Sequence, residues 1–179
     1  MNERITLICT FDDNNNEKIK SIISQIDNNL CKVPFGKNVP DRIKADTLPY
    51  HFTLIYWKNE NEDFITKELM KINFPKIKVH IDNIEIKKAA EESYELFFHI
   101  KDDTKLRLLQ QVLYENIPSK IYTPGSRSFH ISIHADQDYE KIHLMKQKLM
   151  KTFKPFELEV ENISLYTIYP AKLINNIKL

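Results

Sequence analysis

At 179 residues the chain is long enough for one ordinary domain or two small lobes sharing a core, and 42% apolar with 28% charged residues describes a soluble globular protein. A formal charge of +1 argues against a dedicated binder of long duplex nucleic acid, which carries a marked basic excess. The two glycines, Gly36 and Gly125, exclude glycine-rich phosphate loops and dinucleotide-binding turns, and the two cysteines, Cys9 and Cys31, are too few for a thiolate zinc site or a disulfide scaffold.

In chain order, the alternation of Ile5, Leu7, Cys9 and Phe11 predicts a strand at 4–11, with Cys9 a core residue. Ile19, Ile22, Ile23 and Ile26 at helical spacing predict a helix at 16–30, and a loop marked by Pro34, Gly36, Pro40 and Pro49 follows it. Next come a strand at 50–57, a helix at 62–71 and a long extended segment at 76–89. A second round opens with Leu96, Phe98 and Ile100 alternating in a strand at 94–101 and continues through a helix at 104–115. A loop holding Pro118, Pro124 and Gly125 leads to a strand at 129–135, a helix at 138–151 and an extended segment at 156–169. The last helix is rich in lysine, but Ile142, Met145 and Leu149 form an apolar stripe, which makes those lysines its solvated face. No stretch approaches the roughly 20 apolar residues of a membrane helix. The segment MNERITLICTF lacks the apolar core of a signal peptide, so no membrane association and a cytoplasmic location are expected.

Each half reads β-α-β-α-β, as approximate repeats 4–90 and 94–170. A shift of 79 carries Phe74 to Phe153, Val79 to Leu158, Asp82-Asn83-Ile84 to Glu161-Asn162-Ile163, His51 to His130 and Thr53 to Ser132. In both extended segments the apolar parity slips by one at the asparagine, from 77, 79, 81 to 84, 86 and from 158, 160 to 163, 165, which predicts a bulge or bend there. The expected fold is α+β: residues 1–179 form a single bilobal domain of two pseudo-symmetric β-α-β-α-β lobes, antiparallel sheets flanking a central cleft with helices outside. A site between the lobes then draws equally on both halves.

Side chains alternate across a strand, so in 51–56 Tyr50, Phe52, Leu54 and Tyr56 share a core face while His51 and Thr53 take the other. In 129–135 Phe129, Ile131 and Ile133 take the core face and leave His130, Ser132 and His134 opposite. Two imidazoles across a phosphodiester can divide acid–base labour, one accepting a proton from the attacking oxygen and the other donating to the leaving oxygen. Thr53 and Ser132 are suited to donate hydrogen bonds to the non-bridging oxygens, where charge builds. This chemistry needs neither metal nor cofactor. One His-x-Ser/Thr is a weak pattern; two with matched apolar neighbours at equivalent places in a repeat are not. The bland alternative is that both histidines only satisfy hydrogen bonds on a sheet surface.

His51-Phe52-Thr53-Leu54 and His130-Ile131-Ser132-Ile133 resemble the two His-x-Thr/Ser signatures of the 2H phosphoesterase superfamily, which includes the 2′–5′ RNA ligase-like proteins and cyclic nucleotide phosphodiesterases. The resemblance spans essentially the whole chain, because the two-lobed fold of that superfamily is also a duplication. It implies His51, Thr53, His130 and Ser132 as catalytic residues, and cyclic phosphates, 2′–5′ linkages or RNA ends as substrates. His134 departs from it as a third histidine that the common pattern does not require.

Both histidine strands follow proline-marked loops that carry cations, Lys37, Arg42 and Lys44 in the first and Lys120 and Arg127 in the second. Arg127 is placed to grip a phosphate, with an exposed loop charge as the alternative. Tyr122 and Trp57 are candidates to stack a base, Trp57 having an equal claim to pack between the lobes. His80 and His99 lack a hydroxyl partner and read as packing or surface residues, His99 with the option of lining the cleft. The expected function is that of a metal-independent phosphodiesterase acting on a small nucleotide or RNA end as a monomer. The rival is a catalytically idle RNA- or nucleotide-binding module with the same cleft.

Overall fold

A computed structural model describes residues 4–26, 48–58, 60–89, 92–101, 104–168 and 171–179. The elements in chain order are β1 (Arg4–Phe11), α1 (Asp13–Ile23), β2 (His51–Lys58), α2 (Glu62–Leu69), β3 (Lys78–Lys88), β4 (Tyr94–Ile100), α3 (Thr104–Asn116), β5 (His130–Asp136), α4 (Tyr139–Met150), β6 (Phe156–Ile168) and β7 (Lys172–Lys178). This is the expected α+β order with one strand, β7, added at the end. The helix starts follow from short polar caps: Asp12, Asn61 and Asp138 accept from the backbone N–H of Asn15, Phe64 and Lys141. The Asp12 cap starts α1 at Asp13, earlier than periodicity alone suggests, and the helix closes at Ile23 with the Ser24 N–H on the Lys20 carbonyl.

All strand pairs are antiparallel, in the order β2-β1-β6-β3-β4-β5, with β7 also paired to β6. The third strand of each half leaves its own half. β3 pairs with β4, the first strand of the second half, and β6 pairs with β1. Where the two long strands meet, Lys78 faces Glu159, Val79 faces Leu158 and His80 faces Glu157. Val79 and Leu158 are 79 apart in sequence, so their pair lies on the approximate two-fold axis.

The irregularities obey the same symmetry. The β3–β4 register skips Asp82 and the β1–β6 register skips Glu161, one residue before each asparagine where the apolar parity slips. A second pair of bulges skips Leu54 in β2 and Ile133 in β5, again 79 apart. One continuous cluster of buried side chains, including Leu7, Cys9, Phe52, Leu54, Trp57, Phe98, Ile131, Ile133 and Leu165, fills the space between the sheet and its helices. The α4 stripe of Ile142, Met145 and Leu149 is buried in it. No helix among the described residues is long and apolar enough to cross a membrane.

Candidate active site

Before their bulges the two motif strands behave as alternation requires. Phe52, Leu54, Ile131 and Ile133 are fully buried in the core, while His51, Thr53, His130 and Ser132 lie half-buried on the other face. β2 and β5 stand at opposite ends of the strand order, yet they pack against each other, with the rings of Phe52 and Phe129 edge to face at 5.9 Å. Each of these rings sits one residue from a motif histidine, so the packing of β2 against β5 brings His51 and His130 within electrostatic reach of each other on the shared non-core face, the candidate cleft. Ile8 and Phe97, at matched places on β1 and β4, are buried beside Thr53 and Ser132, their register partners, and Phe97 meets the His130 ring edge to face at 5.1 Å.

The two imidazoles are held alike. Nδ1–H of His51 donates to the Pro49 carbonyl at 2.8 Å, and Nδ1–H of His130 donates to the Ser128 carbonyl at 3.0 Å. Each acceptor is two residues before its histidine, so the repeat reproduces the bond itself. A carbonyl can only accept, which puts the proton on Nδ1 and leaves Nε2 of each neutral ring as a free base.

Around them the symmetry breaks. On the His130 side, Lys87 of β3 donates to His130 Nε2 at 2.6 Å and pairs with Glu95 Oε2 of β4 at 2.9 Å. Ser132 Oγ donates to Glu95 Oε1, which also stands 3.7 Å from His130 Nε2. Burial pushes Glu95 upward, but the Lys87 and His130 charges and the Ser132 and Lys87 hydrogen bonds outweigh it and hold the carboxyl below its ordinary range. His130 is lowered by burial and then by Lys87, with Glu95 and the Ser128 carbonyl opposing and Arg127 adding to the depression. His51 is lowered by burial, against the Pro49 carbonyl, and further by the neighbouring His130, while Glu95 acts to raise it. Among the described residues, no hydrogen bond engages the Thr53 hydroxyl.

The second pair of bulges corrects three expectations. Skipping Leu54 reverses the parity of β2, so Trp57 turns into the core, 0% exposed, with Nε1 donating to the Ile117 carbonyl at 2.9 Å; it cannot stack a base. Tyr56 takes the cleft face instead, with the guanidiniums of Arg4 and Arg127 at 5.2 and 5.3 Å from its ring centre. Skipping Ile133 likewise turns His134 to the core side, buried and paired with Leu96, its Nε2 3.7 Å from Asp136. Tyr122 is buried too; its ring meets Tyr56 edge to face at 4.9 Å, so it backs the cleft aromatic without stacking on a ligand. Arg127 is exposed at the same end of the cleft. Arg42, with Lys37, Lys44 and Cys31, lies outside the described residues. His99 pairs with His130 across β4 and β5, which places it on the cleft face with its Nδ1 donating to Asp82 at 2.6 Å. Sequence reasoning missed Lys87 and Glu95; the one signal was a carboxylate inside the apolar strand YELFFHI.

Other features do not compete. Cys9 is fully buried, and burial drives its thiol pKa well up, away from nucleophilic use. A cavity of about 450 Å³ elsewhere is lined by Asp12, Glu157, Glu159 and Glu161 with Lys78 as the one lysine among them, a net acidic wall ill suited to phosphate. Among the described residues, no group of three or more His, Cys, Asp or Glu side chains is placed to hold a metal ion.

No protein-family model matches the sequence, and no curated protein sequence matches it. The structure does match solved ones. Escherichia coli LigT complexed with 3′-AMP aligns with a TM-score of 0.60 at 14% identity, covering 100% of this chain and 99% of LigT. A protein described as a phosphoesterase aligns at 0.59 and 14% identity, over 100% of this chain and 99% of its own. Kluyveromyces marxianus Usb1 aligns at 0.53 and 11% identity, over 98% of both chains. The chain has the fold of these proteins from end to end.

Proposed function

We propose that the protein is a 2H-type phosphodiesterase that works without a metal on a small nucleotide or RNA end, such as a 2′,3′-cyclic phosphate or a 2′–5′ linkage. The observation that carries the reading is the repeated bond from each histidine Nδ1 to the carbonyl two residues before it. With each Nδ1 so engaged, each Nε2 is left for a substrate, and two such nitrogens on structurally equivalent strands suit acid–base catalysis at phosphorus. One Nε2 takes a proton from the attacking oxygen while the other, protonated, supplies the leaving oxygen. Thr53 presents its hydroxyl to a non-bridging oxygen, and Lys87 brings a positive charge to the place where that charge builds. Arg127 beside Tyr56 receives the more distant part of a nucleotide. Neighbours of the same fold are described as complexes with 3′-AMP, NADP+ and uridine monophosphate, which supports a nucleotide ligand for this cleft.

The test is a panel of 2′,3′-cyclic nucleotides, ADP-ribose cyclic phosphate and 2′–5′ oligonucleotides, assayed with and without EDTA. At least one substrate is cleaved equally in both conditions, and His51→Ala and His130→Ala each lose about 10² to 10⁴ in rate. Cleavage abolished by EDTA refutes the metal-free mechanism, and near wild-type rates in either variant refute the residue assignment. Tight nucleotide binding without any turnover identifies an idle binding module instead.

A further inference from the structure

Past Thr53 the cleft face of β2 ends in Tyr56, which the bulge at Leu54 turns outward. Its partner on β1 is Thr6, whose other neighbour is Tyr166 of β6. Thr10 lies opposite His51 and Ile8 opposite Thr53, so along β1 the Tyr56 row stands about 13 Å beyond His51 and about 7 Å beyond Thr53. Two guanidiniums converge on the Tyr56 ring, that of Arg4 from β1 at 5.2 Å and that of Arg127 from the loop before β5 at 5.3 Å. Tyr122, its hydroxyl held by Gln110, meets the same ring edge to face and fixes it from behind. Both arginines are exposed. Among the described residues no carboxylate pairs with either, whereas Lys87, Lys120 and Lys141 each have one within 3.4 Å.

The approximate two-fold holds no second copy of this cluster. By register the row Tyr56–Thr6–Tyr166 becomes Ala135–Glu95–Lys87 in the second half. Arg127 falls back on Leu48, and Arg4, opposite Ile168, falls on Ser93, bonded to Ala89. The other end of the cleft therefore has neither an aromatic ring nor an arginine at these places.

We infer that Arg4, Arg127 and the Tyr56 ring form a second phosphate subsite, and that the preferred ligand carries two phosphoryl groups separated by one nucleoside. One group lies at the histidines and the other at this end of the cleft. The inference rests on the nucleotide reading above and deepens it. A guanidinium presents a fork of N–H donors that matches phosphate oxygens. An aromatic face attracts each cation, offsets part of their mutual repulsion and leaves their N–H edges for an anion. One arginine on a tyrosine is ordinary packing; two on one ring concentrate positive charge that a phosphate completes. The place is too far along the strand to share a phosphate held by His51 and Thr53, and one nucleoside bridges the gap. Because the cluster exists at one end only, it also fixes which way a nucleotide lies in a cleft whose motif strands are equivalent.

Binding tests this without turnover. Titration calorimetry compares 3′-AMP with adenosine 3′,5′-bisphosphate, which differ by the second phosphate alone. The bisphosphate binds about 10- to 100-fold more tightly, and added salt narrows the gap. Arg4→Gln and Arg127→Gln each remove most of that preference. Lys148→Gln, which takes the same charge from the exposed face of α4 on the helix side of the sheet, leaves it in place. If Arg4→Gln does not fold, Arg127→Gln decides. Equal affinities in the wild type, or a preference that survives both arginine substitutions, overturns the subsite. Binding of neither nucleotide overturns the nucleotide reading along with it. A protein that favours the bisphosphate yet cleaves no phosphodiester upholds the subsite and fails only the phosphodiesterase reading, so the two failures are told apart.

Discussion

Gln110 of α3 is fully buried, and its one amide serves both motif strands. Its Nε2 donates to the Leu54 carbonyl at 2.7 Å, at the bulge of the His51 strand, and to the Tyr122 hydroxyl at 2.5 Å. Its Oε1 accepts from the Gly125 N–H at 3.1 Å, in the loop that delivers His130, where Gly125 takes a φ of +79°. Gln110→Leu keeps most of the volume and none of these bonds. It leaves a carbonyl, an N–H and a phenol without their partner and takes one acceptor from Arg107, which keeps its bond to the Arg127 carbonyl; a buried polar group so orphaned costs about 1–3 kcal/mol. Gly125 is exposed and can recover a water, so we expect a total of about 3 kcal/mol. For a chain of this size that lowers Tm by roughly 6–12 °C. Thermal unfolding followed by circular dichroism measures it, with Gln111→Leu as the control. Gln111 is exposed on the same helix and among the described residues its side chain bonds only Glu115, so its loss stays within about 0.5 kcal/mol. The folded Gln110→Leu protein, assayed well below its Tm, also loses kcat because the bulge that aims His51 is no longer pinned. A drop in Tm below about 2 °C refutes the idea that one amide carries this load.

Two further outcomes follow from the site. Burial lowers both histidines, so each is mainly neutral at pH 7 and the singly protonated pair gains population as pH falls. The kcat/KM profile therefore peaks below the ordinary imidazole value of about 6.5 and declines as pH rises above it. Glu95 raises both histidines, so Glu95→Gln moves the optimum to still lower pH; an optimum above neutrality, or an upward shift in the variant, contradicts the electrostatics. The aromatic pair at the end of β2 separates binding from packing: Tyr56→Ala raises KM for a dinucleotide with little loss of stability, whereas Trp57→Phe destabilises the fold by about 1–3 kcal/mol and leaves KM unchanged. The opposite pattern, read from steady-state kinetics and urea unfolding, would restore Trp57 to the cleft.

The repeat was legible because apolar alternation survived duplication, and it located the paired histidines and the bulges at Asp82 and Glu161. The bulges at Leu54 and Ile133 were illegible for a physical reason. In Leu54-Ile55 and Ile133-His134-Ala135 both phases offer side chains the core accepts, so the strand reversed its faces without a visible slip. That hidden reversal exchanged Tyr56 with Trp57 and sent His134 inward. Lys87 and Glu95 reach His130 from two different strands, and only the sheet register brings them together. β7 escaped notice because Leu173, Ile174 and Ile177 flank two asparagines and follow neither period cleanly.

The exchanged strands carry an implication for ancestry. Since β3 completes the sheet of the second half and β6 that of the first, one half alone leaves strand edges bare, whereas two copies of it can lend each other a strand and close the same frame. A homodimer of that kind is bound to symmetry: any substitution appears at both imidazoles or at neither. Covalent fusion of the copies lifts that bond. A lysine and a glutamate beside one histidine, with a tyrosine and a threonine beside the other, is a difference that a homodimer of identical halves cannot carry.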